Sequence, residues 1–517
     1  MPKKPTTTSR ARPRAARWAL WAAGAALLFA ILLTAGASYA LHRILVTGRI
    51  QRWVNGNPEK LRLEYASASG WFPWDVRVRA LEMRMRDPTV EYYFRIDDAR
   101  LSFSPLALLA HEVHFTRVRG SGLTFLLRLR TEPPEPPPAH FAALPPIPGF
   151  PDRPKPQGDA PEQVSEHPFR IHVDDLRVTP VHEVWIDLYR YRGGGTLDGS
   201  FDLTPHRHAE VGPARLALSG GELTLGTHTL SHRTTFETRA RIRQFDPRLV
   251  RGNAVWPFIS GRVRQEGDLA GLAFLNYFLD GGEPRLSGGA GNAHLALDVD
   301  KGLGTGTLAL AGRDVTARYR KADLRGNAAI RVRFAPWDFE KNRFDLSGTH
   351  VELTNISSGG PGPDSRDWWG RFDLPAADLR AGKAGAFVTR VSLHCRDARP
   401  LFTLFNTNLP GWARGVLKLE GIEATARVRI GKSLLDVEGI EAAGGSFKIR
   451  GRYRSAGQER QGAFLVETGA LAVGVEIGGN SSKLKLAGAR SWYEEAAQKA
   501  PPPGEKTAAG NSAGAAR

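Results

Sequence analysis

The chain has 517 residues, with 71 Lys and Arg against 53 Asp and Glu and a formal net charge of +18. Its single cysteine, Cys395, excludes an intrachain disulfide. Beyond residue 17 the excess arginine is dispersed, which is typical of a solvated strand face or of a face attracted to anionic lipid headgroups. We find no motif of a nucleic-acid-binding protein, so we expect no nucleic-acid partner.

Residues 18–41 form an uncharged stretch of 24 residues, long enough to cross a bilayer as a helix. Six basic residues and no acid precede it, which predicts a cytoplasmic N-terminus (1–17) and a single-pass signal anchor. A cleaved signal peptide is the alternative, but the stretch is longer than a usual signal core. The residues assigned to the anchor are Trp18, Trp21, Leu27, Leu28, Phe29, Ile31, Leu32, Leu33 and Tyr39.

The stretch from Gly421 to Tyr453 shows a pattern that much of the chain repeats. Apolar or small residues occupy every second position from Ile422 to Ile430, and charged or polar residues lie between them. Period two places the two sets on opposite faces of a sheet, and the glycine turns between runs indicate hairpins. We predict that one apolar face includes Ile422, Val428, Ile430, Phe447, Ile449, Leu295, Leu297, Val299, Ile330, Val332 and Phe334.

The predicted fold is mainly β: after the transmembrane helix comes an elongated, curled antiparallel sheet, a groove built from residues 42–130 and 169–492, with a few short helices. Residues 131–168 contain thirteen prolines, which cannot donate to a strand ladder. We predict that they form a loop and that deletion of residues 135–158 leaves the fold intact. Helical spacing at 269–279 and 400–412 predicts short helices beside the sheet, or plugs of its groove. Residues 493–517 are predicted to be disordered.

The sequence contains only weak candidates for a catalytic or metal-binding site. His206, His208 and Glu210 follow one strand face at period two, a geometry that can bind zinc. A polar strand edge is the simpler interpretation, and it also applies to the cluster of His111, Glu112 and His114. We therefore predict a protein that is not an enzyme and has no catalytic residue, metal or cofactor.

The chain resembles the AsmA-like and TamB superfamily of bacterial envelope proteins. The resemblance covers nearly the whole chain and rests on the basic N-terminus, the anchor and the repeated amphipathic strands. The stretch from Leu61 to Leu127, which contains "GWFPWDVRVRALEMRMRDP" and "FRIDDARLSFSPLALLAHEVHFTRVRGSGLTF", resembles the family most. The stretch "LEGIEATARVRIGKSLLDVEGIEAAGGSFKIRGRY" at 419–453 is similar to the C-terminal parts of the same group. The proline-rich insertion and the short length depart from the large members.

The resemblance implies a β-groove that binds and conducts phospholipids or other acyl-chain lipids between envelope membranes. It implies a single-pass protein of the bacterial inner membrane with its bulk in the periplasm, and it allows for an outer-membrane partner. The family offers no catalytic residues. A scaffold or regulator of outer-membrane assembly that moves no lipid shares the same fold and stays an alternative, and an envelope enzyme is a third.

Overall fold

The computed structural model describes residues 28–129, 170–397 and 421–498, apart from short internal gaps. The chain divides into two units, which we describe separately. Unit 1 comprises Met1–Thr227 and Glu237–Val250, and unit 2 comprises His228–Phe236 and Arg251–Arg517. Strands dominate the described part of both units, which confirms the predicted mainly β class.

Unit 1 contains a short helix, α1 (Arg49–Val54), and a 3-10 helix at Pro105–Ala110. Its strands are β1 (Leu61–Glu64), β2 (Ser67–Trp71), β3 (Asp75–Arg86), β4 (Val90–Ser104), β5 (Glu112–Leu129), β6 (Arg170–Val178), β7 (Val181–Ile186), β8 (Tyr189–Thr204) and β9 (His208–Leu225). Strand β10 (His228–Phe245) supplies residues to both units.

The described part of unit 1 has two separate buried clusters, one around Tyr93, Leu126 and Trp185 and one around Val76 and Val78. Val78 lies opposite Ala99 in the β3–β4 register, and both side chains are buried. Leu45, from the chain before α1, packs into the same cluster. The backbone carbonyl of Leu45 also accepts a hydrogen bond of 2.9 Å from the Tyr65 hydroxyl. The chain that enters unit 1 is thereby fixed to its apolar face.

Two strand pairings, both made by β5, differ from the predicted antiparallel sheet. Strand β5 pairs in parallel with β6 and β7, so that Glu112 lies opposite Arg170 and Leu127 opposite Ile186. Parallel neighbours need a crossover connection of a dozen or more residues. Residues 130–169 connect β5 to β6 and lie outside the described residues, as does the loop predicted at 131–168. The prediction of a wholly antiparallel sheet is therefore wrong at this junction.

Unit 2 contains 3-10 helices at Gly252–Phe258 and Ala273–Tyr277 and ends in helix α2 (Ala489–Gln498). Its first strands are β11 (Ile259–Leu269), β12 (Arg285–Asp300), β13 (Leu303–Tyr319), β14 (Ala322–Asp338), β15 (Arg343–Asp345), β16 (Thr349–Ser358) and β17 (Trp368–Arg380). The remaining strands are β18 (Ala386–Cys395), β19 (Ile422–Gly431), β20 (Leu434–Gly444), β21 (Phe447–Ala456), β22 (Glu459–Thr468), β23 (Leu471–Gly478) and β24 (Ser481–Lys485).

From β11 to β24 the strand pairings in the described part of unit 2 are antiparallel, mostly between consecutive strands. Tight turns make this possible. The turn between β12 and β13 consists of Lys301 and Gly302, with φ of 50° and 79°. Two successive residues with positive φ are typical of the type I′ turn, whose twist matches that of the flanking strands.

Three predictions concern segments outside the strands. The short helix predicted within 269–279 is present as a 3-10 helix at Ala273–Tyr277, and it is shorter than the predicted stretch because β11 extends to Leu269. The helix predicted at 400–412 lies outside the described residues. The predicted start of the disordered tail at residue 493 is too early, because α2 continues to Gln498, with Ala489 buried.

Among the described residues, no helix combines the length and the apolar character needed to cross a membrane. Of the predicted anchor residues, Trp18, Trp21, Leu27 and Leu33 lie outside the described residues. The others lie in helical backbone and are exposed: Leu28, Phe29, Ile31, Leu32 and Tyr39.

Candidate functional site

One face of the unit 2 sheet carries a row of apolar residues, one from each of eleven strands. Directly opposed residues of neighbouring strands share a face of the sheet, so the register defines the row. At about 4.8 Å between strands, the ten intervals of the row span about 48 Å. We call this set the apolar row: Ala293, Leu310, Ile330, Val351, Phe372, Leu393, Ala424, Ala442, Ile449, Val466 and Val473.

The opposite face of the same strands is largely polar. One residue along from the row, Arg331 lies opposite His350, which lies opposite Asp373. The Nδ1 atom of His350 is 2.6 Å from an Asp373 carboxylate oxygen. Further along, Thr425 lies opposite Glu441. The sheet of unit 2 therefore separates an apolar face from a face of mostly charged and polar side chains.

The eleven apolar residues singled out from the sequence lie on the face of the apolar row. Ile330 and Ile449 belong to the row itself, and the other nine lie an even number of residues from a row member of their strand. Phe334 is buried and Ile430 is 44% exposed. The remaining nine are half-buried: Leu295, Leu297, Val299, Ile330, Val332, Ile422, Val428, Phe447 and Ile449.

Burial along the apolar row is incomplete. Ala293 is buried, and the other ten members are half-buried. In the described residues from 421 to 485, the fully buried apolar side chains are Ala463 and Leu465, and both point to the opposite face. Beyond Ala293, the apolar row therefore keeps accessible hydrocarbon surface.

Helix α2 packs on the polar face, behind the row. A Cβ atom added to Gly474 would lie 2.6 Å from the Trp492 ring, so the ring lies directly on the β23 backbone. The Arg490 guanidinium donates a hydrogen bond of 2.7 Å to Glu467, and this bond lowers the pKa of the Glu467 carboxyl. Both contacts lie on the Leu465 side of the sheet, so α2 leaves the apolar row open.

The segment after β11 packs on the row's face at its other end. Leu272 is buried with Ala293 and Val315, and Phe274 and Leu275 pack against the same cluster. The cluster also includes Leu310, a row member. Protein side chains therefore already cover the first strands of the apolar row.

A cavity of about 520 Å³ lies beside this region, but it does not coincide with the row. Its lining includes Asn292, Arg313, Asn327, Glu352 and Thr354. Asn292 is adjacent in sequence to Ala293, so its side chain lies on the polar face. Five of its ten lining residues are Gly or Ala and five are polar or charged, and none of the ten belongs to the apolar row.

Two groups of residues in the described structure were not identified from the sequence. The sequence analysis did not single out row members such as Val351, Phe372 and Val466, although each lies in an alternating run. It also left His114 in a polar edge, whereas the structure brings His172 and Asp174 beside it. A His-x-Asp pattern at period two, His172 to Asp174, was the available signal.

Comparison with known proteins does not assign a family to the chain. No protein-family model, curated protein or solved structure matches it.

Proposed function

We propose that this chain is an inner-membrane-anchored periplasmic protein whose apolar row binds the acyl chains of phospholipids and conducts them between envelope membranes. The observation that carries the proposal is the half-buried apolar row, which has one residue on each of eleven strands. A sheet is stable in water when its apolar face is covered. Acyl chains are a suitable cover for the part of the row beyond Leu310, because each buried CH₂ contributes about 0.8 kcal/mol.

The length of the row supports conduction rather than simple binding. The hydrocarbon core of a bilayer is about 30 Å thick, so one leaflet's acyl chains occupy about 15 Å. The row, at about 48 Å, is roughly three times that length. A lipid bound at one end can therefore move along equivalent apolar surface, since each strand presents a similar side chain at the same position.

The sequence before residue 42 supports the membrane anchor. The uncharged stretch at 18–41, with its basic flank, has the properties of a signal anchor. The chain leaving it reaches unit 1 at Leu45, which packs on the apolar face of β2 and β3. A reporter that is active only outside the cytoplasm, fused after Gln498, tests the topology; activity of a cytoplasmic reporter at that position would contradict it.

Photo-crosslinking tests the site. Ile449 and Lys448 are neighbours in β21 that point to opposite faces, so they form a matched pair. A photo-reactive side chain at Ile449, or at Val428, is expected to capture phospholipid in cells, and one at Lys448 is expected to capture none. Equal capture from both faces would overturn the proposal.

One observation favours the scaffold as a second candidate. Leu272, Phe274 and Leu275 already cover the row at β12 and β13, and protein cover at that end would block passage of a lipid. In a scaffold this cover is permanent, whereas in a conduit it moves. A disulfide between cysteines introduced at Leu272 and Val315, which share a buried cluster, is expected to lower lipid occupancy of a conduit and to leave a scaffold's activity unchanged.

A further inference from the structure

Two histidines and one aspartate meet across the parallel pair β5–β6 in unit 1. His114 lies directly opposite His172, and their ring centroids are 4.8 Å apart. Asp174 follows His172 at period two, so both side chains lie on the same face. Its carboxylate bridges the rings, with Oδ2 2.8 Å from His114 Nε2 and Oδ1 2.7 Å from His172 Nε2. The donor atoms of the three residues lie within 4.8 Å of one another.

A second carboxylate orients this group. The Nδ1 atom of His172 is 3.0 Å from Asp202 Oδ2, on the side of the ring away from Asp174. Asp202 is in turn held by Arg170, whose Nε donates a hydrogen bond of 2.9 Å to Oδ1. In protein metal sites, a carboxylate on the outer nitrogen of a ligating histidine fixes the ring and raises its basicity. Asp202 stands in this position.

Two imidazoles and one carboxylate are a donor set typical of zinc. Zinc bonds of about 2.0–2.2 Å place tetrahedral donors about 3.3 Å apart, so small side-chain rotations from the present distances suffice. The side chains of His114 and His172 are 26% and 29% exposed, which leaves room for a water ligand. We propose that His114, His172 and Asp174 bind a zinc ion, with water as the fourth ligand and Asp202 orienting His172.

The location gives the ion a structural role. Strands β5 and β6 are neighbours in the sheet but are separated in sequence by residues 130–169. Parallel pairing is slightly less stable than antiparallel pairing. An ion bound by His114 on one strand and by His172 and Asp174 on the other ties the two together, and it stabilises the folded unit by mass action. This role does not depend on lipid binding.

Zinc titration of the full-length chain tests the proposal. The protein is purified in detergent, stripped of metal with a chelator and titrated in the presence of a chromogenic zinc chelator that competes for the ion. The expected result is one tightly bound zinc ion per chain that excess calcium does not displace, because calcium prefers oxygen ligands. His114→Ala and His172→Ala are each expected to weaken binding by more than about 100-fold, and Asp202→Asn by about 10- to 100-fold. Zinc is also expected to raise the Tm of the parent protein.

The matched control is His350→Ala in unit 2, because His350 contacts one aspartate, Asp373, at 2.6 Å. It is expected to leave zinc affinity unchanged. If the alanine variants do not fold, His114→Gln takes their place, because it keeps a polar side chain of similar size. The Tm of His114→Gln is expected to be insensitive to zinc. The proposal is overturned if the parent binds zinc no more tightly than folded His114→Gln, or if His350→Ala weakens binding equally.

Discussion

Ile449 lies directly opposite Val466 across strands β21 and β22, while its neighbour Lys448 lies opposite Glu467 on the other face of the same pair. Ile449 and Val466 belong to the apolar row, and Glu467 belongs to the face that α2 covers. Single substitutions of adjacent residues therefore change two different surfaces of one sheet.

A charge placed in the apolar row is expected to reduce lipid binding. Val428 is half-buried on the face of the row, and an unpaired carboxylate there would cost several kcal/mol in contact with acyl chains. Val428→Asp should therefore lower the phospholipid recovered with the detergent-extracted protein by at least about 10-fold. Mass spectrometry of extracted lipid measures this.

The control for this variant is Ala443→Asp on the neighbouring strand β20, because Ala443 is exposed on the polar face and lies opposite Lys448. Its bound lipid should equal that of the parent. Circular dichroism checks that both variants are folded. A folded Val428→Asp protein with full lipid content and full activity would favour the scaffold over the conduit.

Overpacking at Gly474 is expected to dislodge α2. A new Cβ atom there would lie 2.6 Å from the Trp492 ring, too close for either to remain in place. Gly474→Val should lower the free energy of unfolding of this part of unit 2 by about 1–3 kcal/mol. Limited proteolysis near residue 490 should become faster. The control is Gly478→Val on the same strand, where a Cβ atom meets nothing within 4 Å. Equal effects of the two variants would contradict the docking of α2.

The stability of unit 2 is expected to depend on ionised Asp268. Burial raises the pKa of the Asp268 carboxyl, but hydrogen bonds from the Ser231 hydroxyl and the backbone N–H groups of Arg233 and His232 outweigh it and lower this pKa. The Ser231 Oγ and Arg233 N atoms are 2.7 and 2.8 Å from Asp268 Oδ1. Because the folded pKa lies below the unfolded value of about 3.9, ionised Asp268 stabilises above about pH 4. This stabilisation is lost as the pH falls through the folded pKa.

Asp268→Asn should therefore cost about 1.5–3 kcal/mol at pH 7, seen as a lower Tm, and the difference from the parent should shrink below about pH 4. Asp314→Asn is a suitable control, because the Asp314 side chain is 76% exposed in its ion pair with Arg325. That variant should change the Tm little at either pH. A Tm difference for Asp268→Asn that is independent of pH would show that charge is not the cause.

The local sequence pattern was sufficient to predict the strands but not to predict which strands pair. The alternation from Ile422 to Tyr453 predicted the strands that the structure has as β19, β20 and β21, because period two is a property of neighbouring residues. The parallel pairing of His114 with His172 joins residues that are 58 positions apart, and no local period encodes it. The same limit applies to Asp202, which lies 30 positions from His172 in the sequence. Helix α2 was not predicted, and its Trp492 ring packs against Gly474, a residue of another element that no local pattern links to it.

The parallel β5–β6 pair sets a minimum length for the connection between them. Strand β5 has 18 residues, and β6 begins with Arg170 opposite Glu112, at the start of β5. The connection from Leu129 must therefore return over about 55 Å, at about 3.3 Å per residue. Deleting residues 135–158 leaves sixteen connecting residues, which reach at most about 60 Å when fully extended. The shortened connection can therefore only just span the return, and the prediction that this deletion leaves the fold intact requires it to be almost fully extended.

We expect that deletion to lower the Tm of unit 1, because a taut connection strains the β5–β6 register. Deleting residues 143–154 alone leaves twenty-eight connecting residues, with a reach of about 90 Å or more, and should leave the Tm unchanged. The shorter deletion is the control, since it also removes proline-rich sequence. Thermal unfolding of both variants measures the difference. If the longer deletion is as stable as the shorter one, sixteen residues span the return without strain and the prediction is wrong; if both unfold early, residues 143–154 belong to the packed core.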